Sequence, residues 1–168
     1  MYRKDSILTD EITIREATLD DVEQIVTHRR RMFEDMGNKD SEGLSRMITT
    51  FRPWVIERMQ RKVYHSWLAC NAEGKVVAGS DVWLIDWPAG QFDVSMYRGY
   101  ILNVYTYPEY RRRGLARQLV QMCTDWCYTH DVQIVTLHAS DEGQKVYEGL
   151  GFTPTNEMRT WRGREKSS

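Results

Sequence analysis

Arg111, Arg112 and Arg113 stand side by side in YTYPEYRRRGLARQL, residues 105–119, directly before Gly114, Leu115 and Ala116. Guanidinium groups are planar multi-donor cations, suited to phosphate and carboxylate oxygens. The glycine and alanine matter as much as the charges. A helix that begins at Leu115 leaves its first backbone amides without partners, pointing into one small volume. Gly114 can adopt backbone angles closed to other residues, and Ala116 keeps side-chain bulk out of the approach, so phosphate oxygens can reach those amides. The helix dipole adds only about 0.3–2 kcal/mol. Taken alone, the same run also fits a solvated basic start of a helix.

The rest of the composition keeps that basic cluster local. Lys and Arg number 23 against 24 Asp and Glu, a net charge of −1. This argues against holding nucleic acid or an anionic membrane by bulk electrostatics. No stretch approaches the roughly 18 apolar residues of a membrane span, and the first residues lack the apolar core of a signal peptide. A cytoplasmic protein is expected. Cys70, Cys123 and Cys127 are the only cysteines. An odd number with no secretory context does not suggest a disulfide framework. Cys123 and Cys127 lie one helical turn apart on an apolar stripe, so they read as core, and no metal is expected. His28, His65 and His130 are scattered and read as structural residues.

The elements that must position the arginine loop follow from periodicity. Residues 12–18 alternate as a half-buried strand. A helix then runs to Gly37, opened by Thr18 and Asp21 at capping-box spacing. Residues 41–62 continue as helix, with Pro53 expected to kink it or start a new one. Residues 64–86 read as two strands around a turn at Asn71–Gly74, and 99–106 as a third β-run ended by Pro108. The next helix, from Leu115, places Leu115, Leu119, Val120, Cys123, Trp126 and Cys127 on one face. Residues 132–139 form a further strand with an apolar centre, and a short helix ends at Gly151. A closing strand is expected near 157–162. The order predicts one α/β or α+β domain over 1–168, built on a mixed sheet, with frayed ends at about 1–10 and 163–168.

Arg111-Arg112-Arg113-Gly114-Leu115-Ala116 fits the pattern Gln/Arg-x-x-Gly-x-Gly/Ala, and KVYEGLGF at 145–152 fits Tyr-Glu-x-Leu-Gly-Phe at the expected distance downstream. In these two motifs the chain resembles the GNAT superfamily of N-acetyltransferases. The resemblance implies a mixed, mostly antiparallel central sheet flanked by helices, with acyl-coenzyme A between two splayed central strands, here the β-run at 99–106 and the one at 132–139. It implies that Val104, Tyr105 and Thr106 lie along the pantetheine arm, with main-chain groups of Val104 and Thr106 bonded to it. Arg111, Arg112, Arg113, Gly114, Leu115 and Ala116 would hold the diphosphate. Tyr147 falls on the family's general-acid position for the departing thiolate. Ser140 stands where many relatives carry an Asn that bonds the arm, a departure that weakens this contact. Acetyl-CoA is the implied co-substrate, and the amine of a small molecule or peptide the implied acceptor. The oligomeric state stays open, many relatives being dimers.

The base that would deprotonate the amine is not legible. Some relatives place a carboxylate on the strand that holds the thioester, but Tyr100 stands there in this chain. Glu34, Asp35, Asp81, Asp86 and His138 are candidates elsewhere, as is a water relay. Trp54, Trp83 and Trp87 could wall an acceptor, although ordinary core packing is the better account of any one of them. Arg29–Arg31 could favour an acidic acceptor or simply form a solvated helix face. Two rival readings are a non-catalytic acyl-CoA sensor on the same fold and, against the charge balance, a nucleic-acid-binding protein.

Overall fold

The computed structural model describes residues 11–160 and 162, so the ends expected to fray, 1–10 and 163–168, lie outside the described residues. A five-stranded sheet runs in the order β1 (Thr13–Glu16), β2 (Tyr64–Cys70), β3 (Val76–Asp86), β4 (Tyr97–Thr106), β5 (Val135–Leu137). Neighbours are antiparallel up to β4, and only β4 and β5 are parallel. Helix α3 (Leu115–Thr129) is the crossover that makes the parallel pair possible.

Both faces of the sheet are covered. The apolar stripe of α3 packs Leu115, Leu119, Val120, Cys123 and Cys127 against Trp67, Val82 and Ile101. Helices α1 (Val22–Asp35) and α2 (Ser41–Gln60) form a second cluster with Ile25, Phe51, Val55 and Tyr64. This explains why β2 and β3 are buried almost continuously rather than at alternate residues. Gly99 leaves room for the Cys127 sulfur, since a Cβ there would stand 2.8 Å from Sγ. Burial raises the Cys127 thiol to about 12, so both helix cysteines are inert core.

Local sequence sets the helix ends. Thr18 and Asp21 form the expected capping box around a short 3-10 turn, Leu19–Asp21, that leads into α1. Gly37, at φ 87°, ends α1 as its Gly37 amide bonds the Glu34 carbonyl and the Asn38 amide bonds that of Phe33. Pro53 neither kinks nor restarts the second helix, which is continuous through it. Its neighbours Leu44, Ile48, Phe51 and Val55 keep one buried stripe on both sides of the proline, so tertiary packing outweighs the lost backbone bond. The strand expected over 132–139 shrinks to Val135–Leu137. The closing strand expected near 157–162 is absent from residues 157–160, and Trp161 lies outside the described residues. Among the described residues 157–160, the large apolar side chain, Met158, is 94% exposed, so these residues do not dock on the sheet.

A buried polar knot joins α1 to the sheet. Tyr64 Oη donates to Asp81 Oδ2 at 2.6 Å, Asn103 Nδ2 donates to the same oxygen at 2.8 Å, and Arg29 donates to Asn103 Oδ1 at 2.8 Å. Asn103 sits at φ 52°, where the β3–β4 register shifts. It is therefore a bulge residue whose left-handed backbone an asparagine tolerates. Burial pushes the Asp81 carboxyl up to about 6, against its hydrogen bonds and the Arg29 charge. Burial, with Arg31 nearby, pushes the His28 imidazole down to about 4.

These two shifts oppose each other in one pH window. Between about 4 and 6 the native state keeps a proton on Asp81 that the unfolded chain has lost, so this group makes stability fall as pH rises. Over about 4 to 6.5 the unfolded chain keeps a proton on His28 that the native state has shed, so this group makes stability rise. Each amounts to about 3 kcal/mol. Asp81→Asn keeps the acceptor oxygen and removes the falling contribution. Its stability is expected to climb between pH 4 and 6.5 more steeply than the parent's, by about 3 kcal/mol, as read from urea unfolding at a series of pH values.

Candidate active site

Strands β4 and β5 pair only at Gly99–Val135, Tyr100–Thr136 and Ile101–Leu137. Beyond Ile101, β4 runs on to Thr106 while β5 has ended, so the sheet forks. Tyr107 donates its amide to the Val77 carbonyl on β3 at 3.0 Å. Strand alternation then turns the main-chain groups of Tyr105 toward β3 and those of Val104 and Thr106 toward the fork. The Tyr105 side chain is buried, in ring contact with His28 and Tyr107.

The arginine loop closes the wide end of this fork. After the 3-10 turn Pro108–Tyr110, Gly114 takes the N-cap of α3 at φ 80° and brings no capping side chain. Gln118 is the first to bond an acceptor in the helical pattern, the Gly114 carbonyl, at 3.0 Å. The amides of Leu115, Ala116 and Arg117 precede it and have no acceptor within the helix. Nothing lies within 4 Å of where a Gly114 Cβ would stand. Open space, uncapped amides and the positive end of a dipole thus coincide, which is the chemistry of an anion site.

The three arginines do not point together. Arg111 Nε donates to the Thr106 carbonyl at 2.9 Å, and its guanidinium pairs with Asp35 of α1. Arg113 donates to the Glu109 carbonyl at 3.1 Å and lies over the Tyr110 ring. Arg112 is exposed on a left-handed backbone, φ 60°. Arg117, passed over in the sequence reading, donates to the Gly149 carbonyl at 2.9 Å and so ties α3 to α4 (Asp141–Glu148).

Helix α4 presents Tyr147. Ser140 caps it, its Oγ accepting the Gly143 amide at 3.2 Å. The helix ends as the Gly151 amide bonds Glu148 and the Phe152 amide bonds the Tyr147 carbonyl at 3.1 Å, with Gly151 at φ 89°. The Phe152 ring meets the Tyr147 ring edge-on, the apolar contact that accompanies this kind of helix end. Gly143 makes room for the ring, because a Cβ there would stand 2.8 Å from Tyr147 Cε2. Phe152 of the Tyr-Glu-x-Leu-Gly-Phe motif and Gly143, one turn before the tyrosine, together fix its ring. Burial raises its phenol above the ordinary tyrosine value, so it holds its proton at neutral pH.

Most candidate bases are engaged elsewhere. Asp81 is inside the buried knot, Glu34 pairs with Arg30 at 2.8 Å, Asp35 pairs with Arg111, and Asp86 is exposed at the far end of β3. His138 instead meets Tyr100, its Nδ1 hydrogen-bonded to the phenol. Trp54 and Trp83 stack edge-on at 5.0 Å within the α2 cluster, under Arg58, and Trp87 is covered by Arg98 at 3.8 Å. Among the described residues, no group of three or more His, Cys, Asp or Glu side chains is placed to share a metal ion. No helix among them is long and apolar enough to cross a membrane.

The family model for the acetyltransferase (GNAT) family matches residues 22–152, from the start of α1 through the fork to the Gly151–Phe152 turn. The chain belongs to the GNAT family. A solved GCN5-related N-acetyltransferase from Ralstonia eutropha is 31% identical, with a TM-score of 0.83 over 89% of this chain and 97% of that one. A predicted acetyltransferase from Clostridium acetobutylicum, solved with acetyl-CoA, is 22% identical, with a TM-score of 0.82 over 90% of this chain and 96% of that one. The aminoglycoside N-acetyltransferase AAC(6')-Iy, solved in complex with CoA, is 20% identical, with a TM-score of 0.65 over 92% and 96%. No curated protein sequence matches the chain. The mixed, mostly antiparallel sheet expected from the two motifs is that of the GNAT fold.

Proposed function

We propose that this GNAT protein transfers an acetyl group from acetyl-CoA to a primary amine by direct attack. The observation that supports it most is the fork itself: main-chain groups of Val104 and Thr106 face a gap whose wide end carries the uncapped amides of α3. An extended pantetheine arm fits such a gap as an added strand would, and a diphosphate fits the amides. The relatives solved with acetyl-CoA and CoA share this fold.

Each residue then has a task. Leu115, Ala116 and Gly114 bind the diphosphate through the main chain, and of Arg111, Arg112 and Arg113 the exposed Arg112 adds charge most directly, since Arg111 is paired with Asp35 and Arg113 donates to the Glu109 carbonyl. Arg111 also anchors the loop to α1 through Asp35. Val104 and Thr106 face the arm while Tyr105 between them holds the strand to β3, and the Val104 amide, the one nearer the vertex, polarises the acetyl carbonyl. With its carbonyl taken by Arg111, Thr106 has its amide left for the arm near the diphosphate. Ser140 caps α4 and has its hydroxyl hydrogen left for the arm. Tyr147 gives its proton to the thiolate as the carbon–sulfur bond breaks.

The test has two stages. Coenzyme A at a hundred times its Kd should stabilise the protein by about 2.7 kcal/mol. Thiol release from acetyl-CoA is then followed with a panel of 2-phenylethylamine, spermidine, kanamycin and a peptide with a free N-terminus. Turnover with at least one amine is expected. Stabilisation without thiol release would leave a coenzyme-binding module, and no stabilisation would sink both readings.

A further inference from the structure

Attack on a thioester needs a neutral amine, yet an alkylamine of pKa about 10 is almost wholly protonated at neutral pH. The candidate carboxylates Asp81, Glu34 and Asp35 are committed to the buried knot or to arginines. What stands at the vertex of the fork is different. Tyr100 immediately precedes Ile101, the last residue of β4 paired to β5, and His138 immediately follows Leu137, the last residue of β5 paired to β4. Gly99 and Ile101 face α3, as the Cys127 contact and the α3 cluster show, so Tyr100 points to the opposite face. His138 reaches it there from across the fork.

We infer that Tyr100 and His138 form a proton relay that takes the proton from the acceptor amine at the vertex of the fork; this rests on the acetyltransferase reading above. Tyr100 is half-buried and His138 exposed, so the pair runs from the sheet to solvent. The amine N–H bond breaks as its proton moves to Tyr100 Oη. The phenolic O–H proton passes to His138 Nδ1, and the imidazolium releases its Nε2 proton to water. The nitrogen lone pair so freed attacks the thioester carbon. Tyr100 is the catalytic residue because it meets the amine, and His138 is a positioning and relay residue that acts through it. Burial holds the Tyr100 phenol protonated, with Arg29 of α1 and Glu157 and Arg159 of the terminal segment the charged groups around it. That protonation leaves the O–H to donate to Nδ1 and a lone pair of Oη to receive the amine proton.

The discriminating experiment compares two acceptors of one shape. Whichever alkylamine of the panel turns over is paired with the alkoxyamine of the same skeleton, O-benzylhydroxylamine for 2-phenylethylamine. An alkoxyamine is neutral at pH 7 and needs no base before attack. Tyr100→Phe and His138→Gln are expected to lower kcat for the alkylamine at least about tenfold and for the alkoxyamine less than about threefold, after the uncatalysed rate is subtracted. Retained thermal stabilisation by coenzyme A shows that each variant is folded with its donor site intact. Equal losses on both acceptors, or no loss on either, would overturn the relay while leaving the transferase standing. No thiol release by the parent protein with any amine would take down the transferase reading and the relay together.

Discussion

Gly114→Glu is expected to remove most of the response of this protein to coenzyme A while leaving it folded. At φ 80° any side chain costs about 1–2 kcal/mol of backbone strain. That cost alone is modest, since a Cβ at this position meets nothing. The carboxylate is what matters. Placed at the mouth of α3, it satisfies the amides of Leu115 and Ala116 itself and repels a diphosphate from the same volume. Affinity should fall at least about a hundredfold, since juxtaposed like charges cost several kcal/mol. The parent's gain of about 2.7 kcal/mol at a hundred times Kd corresponds to roughly 5–10 °C in a domain of this size. Gly114→Glu should keep no more than about 0.4 kcal/mol of it at the same coenzyme concentration. Gly114→Ala separates the two causes, because it carries the strain without the charge. It should lower the midpoint by a few degrees and still respond to the coenzyme. If Gly114→Glu is stabilised as strongly as the parent, the diphosphate does not sit at α3.

Tyr147→Phe is expected to lower kcat at least tenfold, towards the roughly 10^2- to 10^4-fold loss that a positioned acid can account for. The Michaelis constant for acetyl-CoA should hold, because the proton is needed only as the thiolate departs. The substitution keeps the ring, and with it the Phe152 contact and the fit against Gly143, so the thermal midpoint should move by no more than about 1 °C. A matching loss of stability would mean that Tyr147 acts only by packing. Unchanged turnover would return the search for the acid to the other phenols near the fork.

The arginine loop and the Tyr-Glu-x-Leu-Gly-Phe ending could be read from the chain because both are local. Gly114 must reach a left-handed angle within a few residues of the helix it starts, and Gly151 must close the turn that places Phe152 on Tyr147. The α3 stripe was legible for the same reason, its spacing being that of one helix face. What escaped was set by distance along the chain. The Tyr100–His138 pair joins residues 38 apart, and the Asn103–Asp81 bond residues 22 apart. Neither follows from any local pattern. Asn103 did offer a sign, since an asparagine within a β-run is a residue that tolerates the left-handed region. Arg111 misled in the other direction. Its neighbours suggest one cationic cluster, whereas Asp35 and the Thr106 carbonyl, on other elements, take its donors. Pro53 was overruled by the packing of its helix, and residues 157–160 form no strand because Met158 finds no surface to cover it.

An unpaired strand edge ordinarily invites a strand from another molecule, and proteins guard against that with charges, prolines or covering loops. Here the edge lies inside the sheet, from Leu102 to Thr106, and is shut at one end by the Ile101–Leu137 pair. A neighbouring polypeptide cannot run through a wedge that has no exit. The fork can stay unzipped without seeding aggregates, and it accepts only a slender chain that enters by its tip.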